Sequence, residues 1–341
     1  MAYTTINKSG DYFNTKLYTG NGSTNAITGV GFQPDLIWIK ERSSTSSHNL
    51  VDAVRGVTKR ISSDSTGVEE TLSGIVSSFD SDGFTNGADN GVNENSQTYA
   101  SWNWKANGAG SANTDGTISS TVSANTTAGF SIVSYTGNDV DNTKVGHGLG
   151  VAPSVMIFKS RSLSGRNWST YHKDVPITQV MFLNTTAAAT TTNSRFNDTA
   201  PTSSLINLGT NGDVNDSGVT YIAYCFAEKT GYSKFGSYIG NGSTDGTFVY
   251  TGFKPAFVII KRTDTTKNWY IHDSKRDGYN LDNPYLSPNL NVAETGGTEL
   301  DLYSNGFKMR SSGTGHNASG GTYIYMAFGQ SIVGSNNIPA T

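Results

Sequence analysis

Charge is scarce in this chain. Asp, Glu, Lys and Arg make up 15% of its 341 residues, against roughly 25% in ordinary soluble domains. A net charge of −3 and a pI near 5.9 leave no basic footprint for nucleic acid. Cysteine is nearly absent as well. Cys225 stands alone, so no disulfide can form within the chain, and its apolar neighbours suit a small buried thiol. Met1 to Lys8 lack the apolar core of a signal peptide, and no apolar run reaches the length of a membrane-spanning helix. The expectation is synthesis in a cytoplasm, no membrane insertion, and release, if any, by another route. Helical periodicity is scarce too. Its best case, Asn49 to Arg55, is too short to hold as a helix unaided.

Ser, Thr, Asn and 39 glycines fill the gap that charge leaves, and 17 tyrosines among 11% aromatic residues argue against disorder. One pattern organises the rest. Gly31 to Lys40 reads GFQPDLIWIK, Gly150 to Lys159 reads GVAPSVMIFK, and Gly252 to Lys261 reads GFKPAFVIIK. Each has a glycine, a proline that cannot donate to a ladder, an apolar run and a lysine, the order of a strand with a fixed entry. The lysines Lys40, Lys159 and Lys261 are read as the points where these strands regain solvent.

Two further markers keep the same register. Tyr18, Tyr135 and Tyr238 open Tyr-x-Gly-Asn turns, and Tyr99, Tyr221 and Tyr323 begin aromatic-rich closing runs. Pro34, Pro153 and Pro255 are 119 and 102 residues apart, and the closing tyrosines 122 and 102. Repeats of that length are domain-sized, unlike the shorter repeats of solenoids. The chain is therefore read as a triplication: residues 1–107, 108–229 and 230–341, the last with a short C-terminal tail. Gly108 to Gly116 would be the first connection.

Asn-Gly and Asp-Gly pairs recur throughout and supply the positive φ angles that tight hairpins need. The fold class expected is all-β, three tandem antiparallel β-sandwich domains of jelly-roll or lectin-like kind. In the strand Leu36 to Ile39 both faces are apolar, as they are in Phe257 to Ile260. A strand wet on one side would alternate with polar residues. Cover by the unit's own long loop is the expectation, with a neighbouring unit or another subunit as alternatives.

Candidates for chemistry are few. Trp168 with His172, and Trp269 with His272, look like a repeated constellation, with His48 in the corresponding place of the first unit. Such a set could hold a sugar, the indole stacking on its ring; scaffold packing is the favoured reading, because the feature follows the repeat. Asp80 to Gly83, Asp89 to Glu94 and Asn211 to Asp216 are rich in the oxygens that calcium prefers. None has the spacing of a calcium loop, and Asx turns account for them, so no metal and no cofactor is expected. Gly146 to Gly150 lacks the Lys-Ser/Thr of a phosphate loop and reads as a turn before a strand. Glu69, Glu70, Asp273 and Asp277 could supply a glycosidase pair, but sequence sets no separation between them. No catalytic residue is assigned.

The assembled markers resemble a family of triplicated β-domain proteins encoded by tailed bacteriophages, many of them marine. The resemblance rests on the Tyr-Thr-Gly-Asn-Gly turn, the GFQPDLIWIK strand, Asn197 to Ser204, Thr220 to Glu228 and Lys234 to Gly242, and spans almost the whole chain. It implies a virion structural protein without enzymatic activity, tail-associated and fibre- or spike-like, that touches the host surface. Capsid decoration or a head fibre, and a carbohydrate-binding or glycan-depolymerising tailspike, are the alternatives. The implied partners are other virion proteins, copies of itself and a host surface glycan. Lysis would release such a protein without an export signal.

Overall fold

The structure is a computed structural model that describes residues 3–276, 280 and 284–333. It is all-β, an antiparallel assembly of sandwiched sheets. Beyond the strands, the described residues contain a three-residue 3-10 turn, Ser9–Asp11, and one short helix, Asn90–Asn93. The strongest helical pattern in the sequence fails: Asn49–Asp52 is a strand, all four residues buried.

The same four-stranded sheet is built three times. In the first unit the order is Phe13–Thr19, Thr98–Trp104, Leu36–Glu41, Asn49–Asp52. The third unit repeats it with Ser233–Ile239, Thr322–Gln330, Lys254–Arg262 and Trp269–Asp273. The second unit has it as Phe130–Thr136, Thr220–Phe226, Val155–Ser160 and Ser169–His172, extended at both edges into eight strands. One extension is Ser111–Asn113, paired with Ser120–Asn125, so part of the expected connection is an edge strand. A smaller sheet lies beside each, for example Asn25–Thr28, Gly83–Asn86 and Val76–Asp80 in the first unit.

Register makes the equivalence residue by residue. Lys40, Lys159 and Lys261 stand opposite Ala100, Ile222 and Ile324. At the far end of the sheets the paired tyrosines stack: Tyr18 on Tyr99 at 5.0 Å, Tyr135 on Tyr221 at 5.3 Å and Tyr238 on Tyr323 at 4.9 Å.

The two apolar faces now have distinct destinations. Ile37 and Ile39, Met156 and Phe158, and Val258 and Ile260 each enter a core private to their unit. Leu36 and Trp38, Val155 and Ile157, and Phe257 and Ile259 enter one core common to all three. The expected cover by each unit's own loop is therefore overturned, because neighbouring units cover the second face. At the centre Trp104, Phe226 and Phe328 occupy equivalent positions and close a triangle with centroid separations of 6.2, 5.8 and 5.8 Å. Aromatic edges meet ring faces there, the arrangement their quadrupoles favour. The units form a closed ring of three around this core, a quasi-threefold arrangement within one chain.

The three lysines do not regain solvent. Lys40, Lys159 and Lys261 are fully buried. Each ammonium donates to a backbone carbonyl. The acceptors are Glu41 O at 2.6 Å, Arg166 O at 2.8 Å, and for Lys261 both Lys267 O at 2.7 Å and Thr186 O at 3.1 Å. Burial pulls each of the three down to about 8. The strand ends point into the junction between units, which the sequence pattern cannot show.

Candidate functional site

Trp168, Trp269, His172 and His272 are buried, so none of them can stack on a sugar. The two pairs are not equivalent either. Trp168 and Trp269 stand opposite the buried lysines, a place that His48, not a tryptophan, fills in the first unit. His172 stands opposite Val155 and His272 opposite Val258, one register step apart, so they face opposite sides of their sheets.

All of these but His272 join units. The Trp168 indole N–H donates to Ser62 O at 2.9 Å, and that of Trp269 to Phe182 O at 2.9 Å. His48 accepts the Trp38 N–H on Nδ1 at 2.9 Å, which leaves its Nε2 protonated toward Ser287 O at 3.0 Å. Three equivalent side chains thus reach three equivalent carbonyls in one sense around the ring: second unit to first, third to second, first to third. Burial pushes the His48 imidazole well below its ordinary range, so it remains neutral.

A second set of struts crosses the same junctions in the opposite sense, first unit to second, second to third and third to first. Asp52, His172 and Asp273 are equivalent in register. Asp52 binds Arg55 at 2.5 Å and accepts the Tyr224 hydroxyl of the second unit at 2.8 Å. Asp273 binds Arg276 at 2.6 Å and accepts the Trp102 N–H of the first unit at 3.0 Å. Burial would raise the Asp273 carboxyl, but Arg276 and the Trp102 bond outweigh it and hold the group below its usual range. In the second unit the place of the carboxylate is taken by His172, whose Nε2 lies 3.2 Å from Tyr325 O. Facing it, where Trp102 and Tyr224 stand in the other units, is Met326, which has no N–H or O–H to offer. Burial pulls His172 down to about 4, so this strut is uncharged.

A third set completes the comparison. Arg161 forks onto Glu69 at 2.9 and 3.1 Å, and Arg42 onto Glu294 at 3.0 and 2.8 Å. Glu69 and Glu294 also reach Arg55 and Arg276, at 3.4 and 2.9 Å. Two junctions of the ring are therefore bound by Arg–Glu–Arg–Asp chains.

His272 belongs to another cluster. Its Nε2 lies 3.1 Å from His316 Nε2, and His316 Nδ1 is 3.2 Å from Glu299. The His316 bond is the first cause that holds the Glu299 carboxyl below its usual range.

The acidic stretches serve turns and ion pairs. Asp82 accepts the Gly29 and Gly31 N–H groups at 2.9 and 2.7 Å, Asp89 caps Gly91 at 2.8 Å, and Asp213 pairs with Arg195. No group of three metal-ligating side chains comes together among the described residues. Glu69, Glu70 and Asp273 are each tied to arginines, and Asp277 lies outside the described residues. His147 of the glycine-rich stretch is buried with Nε2 3.1 Å from Thr202 O. A wholly apolar void of about 20 Å³ at the ring centre, lined by Trp38, Ile157 and Ile259 among others, is too small and too dry for a polar ligand.

One set of residues went unnoticed in the sequence. Asn93, Asn215 and Asn317 are fully buried, and each side-chain oxygen accepts the N–H of a turn asparagine: Asn21, Asn138 and Asn241, at 3.0, 2.9 and 3.0 Å. They lie six residues before Tyr99, Tyr221 and Tyr323. That Asn-x5-Tyr spacing was the signal available. The buried asparagines hold three equivalent turns rigid while residues such as Ser23, Asp139 and Ser243 remain exposed.

A family model matches residues 8–331, and its description is a domain of unknown function, DUF7483. The chain belongs to that family. No curated protein matches the chain, and no solved structure does.

Proposed function

We propose that this DUF7483 member is a structural protein of a tailed-phage virion, tail-associated, acting as a rigid body that performs no chemical step. Its partners are other virion proteins and copies of itself, and a host surface glycan would meet the exposed turns. The observation that carries this reading is the use made of the reactive side chains. Trp168, Trp269 and His172 of the candidate constellation, and the acid candidates Glu69 and Asp273, are spent on holding three units together. Stiffness is what a virion component needs, and turns on such a scaffold are free to vary. The motif resemblance supplies the phage assignment, and the sparse charge suits an outward-facing polar surface.

Immunogold labelling of intact particles tests it. Label on the tail supports the reading, label on the head replaces it with capsid decoration, and unlabelled particles overturn it. New reducing ends after incubation with host polysaccharide would replace the structural role with a depolymerase.

A further inference from the structure

The ring is not uniform, and the exception has a shape. Arg42, Arg161 and Thr263 are equivalent, each two residues beyond its buried lysine. Their N–H groups donate to Thr98 O, Thr220 O and Thr322 O at 2.7, 2.7 and 2.9 Å. Their carbonyls accept from Glu294, Glu69 and Ala189 across the junction, at 2.8, 2.8 and 2.9 Å. The backbone is thus the same at all three junctions while the side chains differ. Where two junctions hold Arg–Glu–Arg, the junction of second and third units holds Thr263, Ala189 and Val175. All three of these small residues line a cleft of about 470 Å³, together with Asp174, Gln179 and Asp264. The cleft is thus lined by the three places that carry arginine, glutamate and arginine at the other two junctions.

Its charge is the complement of that arginine. Asp264 is paired with Arg262 at 2.7 Å, so the two cancel. Asp174 is exposed, and among the described residues it has no ion-pair partner. One carboxylate is left uncompensated at the cleft. His172, next to Asp174, is neutral and brings no cation. We propose that this cleft is a docking site for an arginine side chain carried by a partner protein, the guanidinium lying where those of Arg42 and Arg161 lie elsewhere in the ring. Asp174 would accept the planar fork, and the apolar stem would pass over Val175 and Ala189. The inference rests on the internal comparison of three junctions and holds whatever particle the chain belongs to.

Titration of the full chain with N-acetyl-arginine amide, followed by backbone amide resonances, tests it. The expected result is saturable, millimolar shifts confined to Ala188, Ala189, Thr263 and Thr322. N-acetyl-citrulline amide, of the same shape without the charge, should leave these resonances in place. Asp174→Asn, at an exposed position, should weaken binding about tenfold, the scale of one charged hydrogen bond. Ala189→Glu with Thr263→Arg, which rebuilds the pair of the other junctions, should abolish it. Equal shifts with citrulline, no shift at these amides, or shifts with N-acetylglucosamine in place of arginine would overturn the proposal. So would concentration-dependent self-association that the double variant removes, since the occupant would then be a second copy of this chain.

Discussion

Two junctions of the ring are bound by buried charge and the third is not. Where the first unit meets the second and the third, Asp52–Arg55–Glu69–Arg161 and Asp273–Arg276–Glu294–Arg42 run from core to rim. Where the second meets the third, the same four places hold His172, Val175, Ala189 and Thr263. The substitutions agree with one another. With no arginine at position 175 a buried aspartate would lack its counter-ion, and His172, neutral there, avoids that cost. Met326, opposite, needs no acceptor. A junction can dispense with the buried Arg–Glu–Arg–Asp chain if all four of its members change together, because the common core and the repeated carbonyl contacts still hold it. Charge in this ring distinguishes junctions more than it creates them.

The sharpest way to break the comparison is to take one member from a charged junction. Asp273→Ala deprives the buried Arg276 of the nearer of its two carboxylates, leaving Glu294 alone, and leaves the Trp102 N–H without its acceptor. The expected loss is about 3–5 kcal/mol in denaturant unfolding. His172→Ala, at the equivalent neutral place, should cost less than half as much. Equal losses would show that the ion pair contributes nothing beyond packing.

The buried lysines provide a comparison across pH, since they are common to all three junctions. Each falls to about 8 in the folded chain, against 10.5 when unfolded. Below pH 8 both states hold the proton and the folded chain bears the cost of burying charge. Between 8 and 10.5 the unfolded chain binds more protons, so stability rises with pH. Relative to Lys159→Met, the wild-type chain should gain about 1 kcal/mol from pH 8.5 to 9.5. The subtraction matters because Cys225, pushed by burial to about 12, loses stability over the same range. A flat difference between the two proteins would contradict the burial of this ammonium.

The smallest effect comes from rebuilding the missing pair. Ala189→Glu with Thr263→Arg places a half-exposed fork in the cleft, and pairs of that kind are worth about 0.2–1 kcal/mol. Thermal unfolding should rise slightly. A fall would mean that the neutral junction cannot admit the geometry of the other two.

How much of this was legible beforehand follows the range of the interactions. The strands over Leu36–Glu41, Val155–Ser160 and Lys254–Arg262, the all-β class and the threefold repetition are local patterns, since side-chain alternation and turn chemistry act over a few residues. Two apolar faces on Leu36 to Ile39 also announced that something must cover both. The identity of the cover was not written there. Trp168 reaches Ser62 across 106 residues and Asp52 meets Tyr224 across 172, distances over which no periodicity carries information. For the same reason Lys40, Lys159 and Lys261 read as solvent-facing, and Trp168 with His172 read as a ligand site. Each is buried instead: Trp168, His172 and Lys261 meet carbonyls of another unit, while Lys40 and Lys159 bond Glu41 O and Arg166 O within their own. By itself the sequence determined three copies of one sheet. Closing them into a ring, and leaving one junction without the buried Arg–Glu–Arg–Asp chain, was decided by tertiary packing, because only there do distant residues share one desolvated space and balance each other's charge.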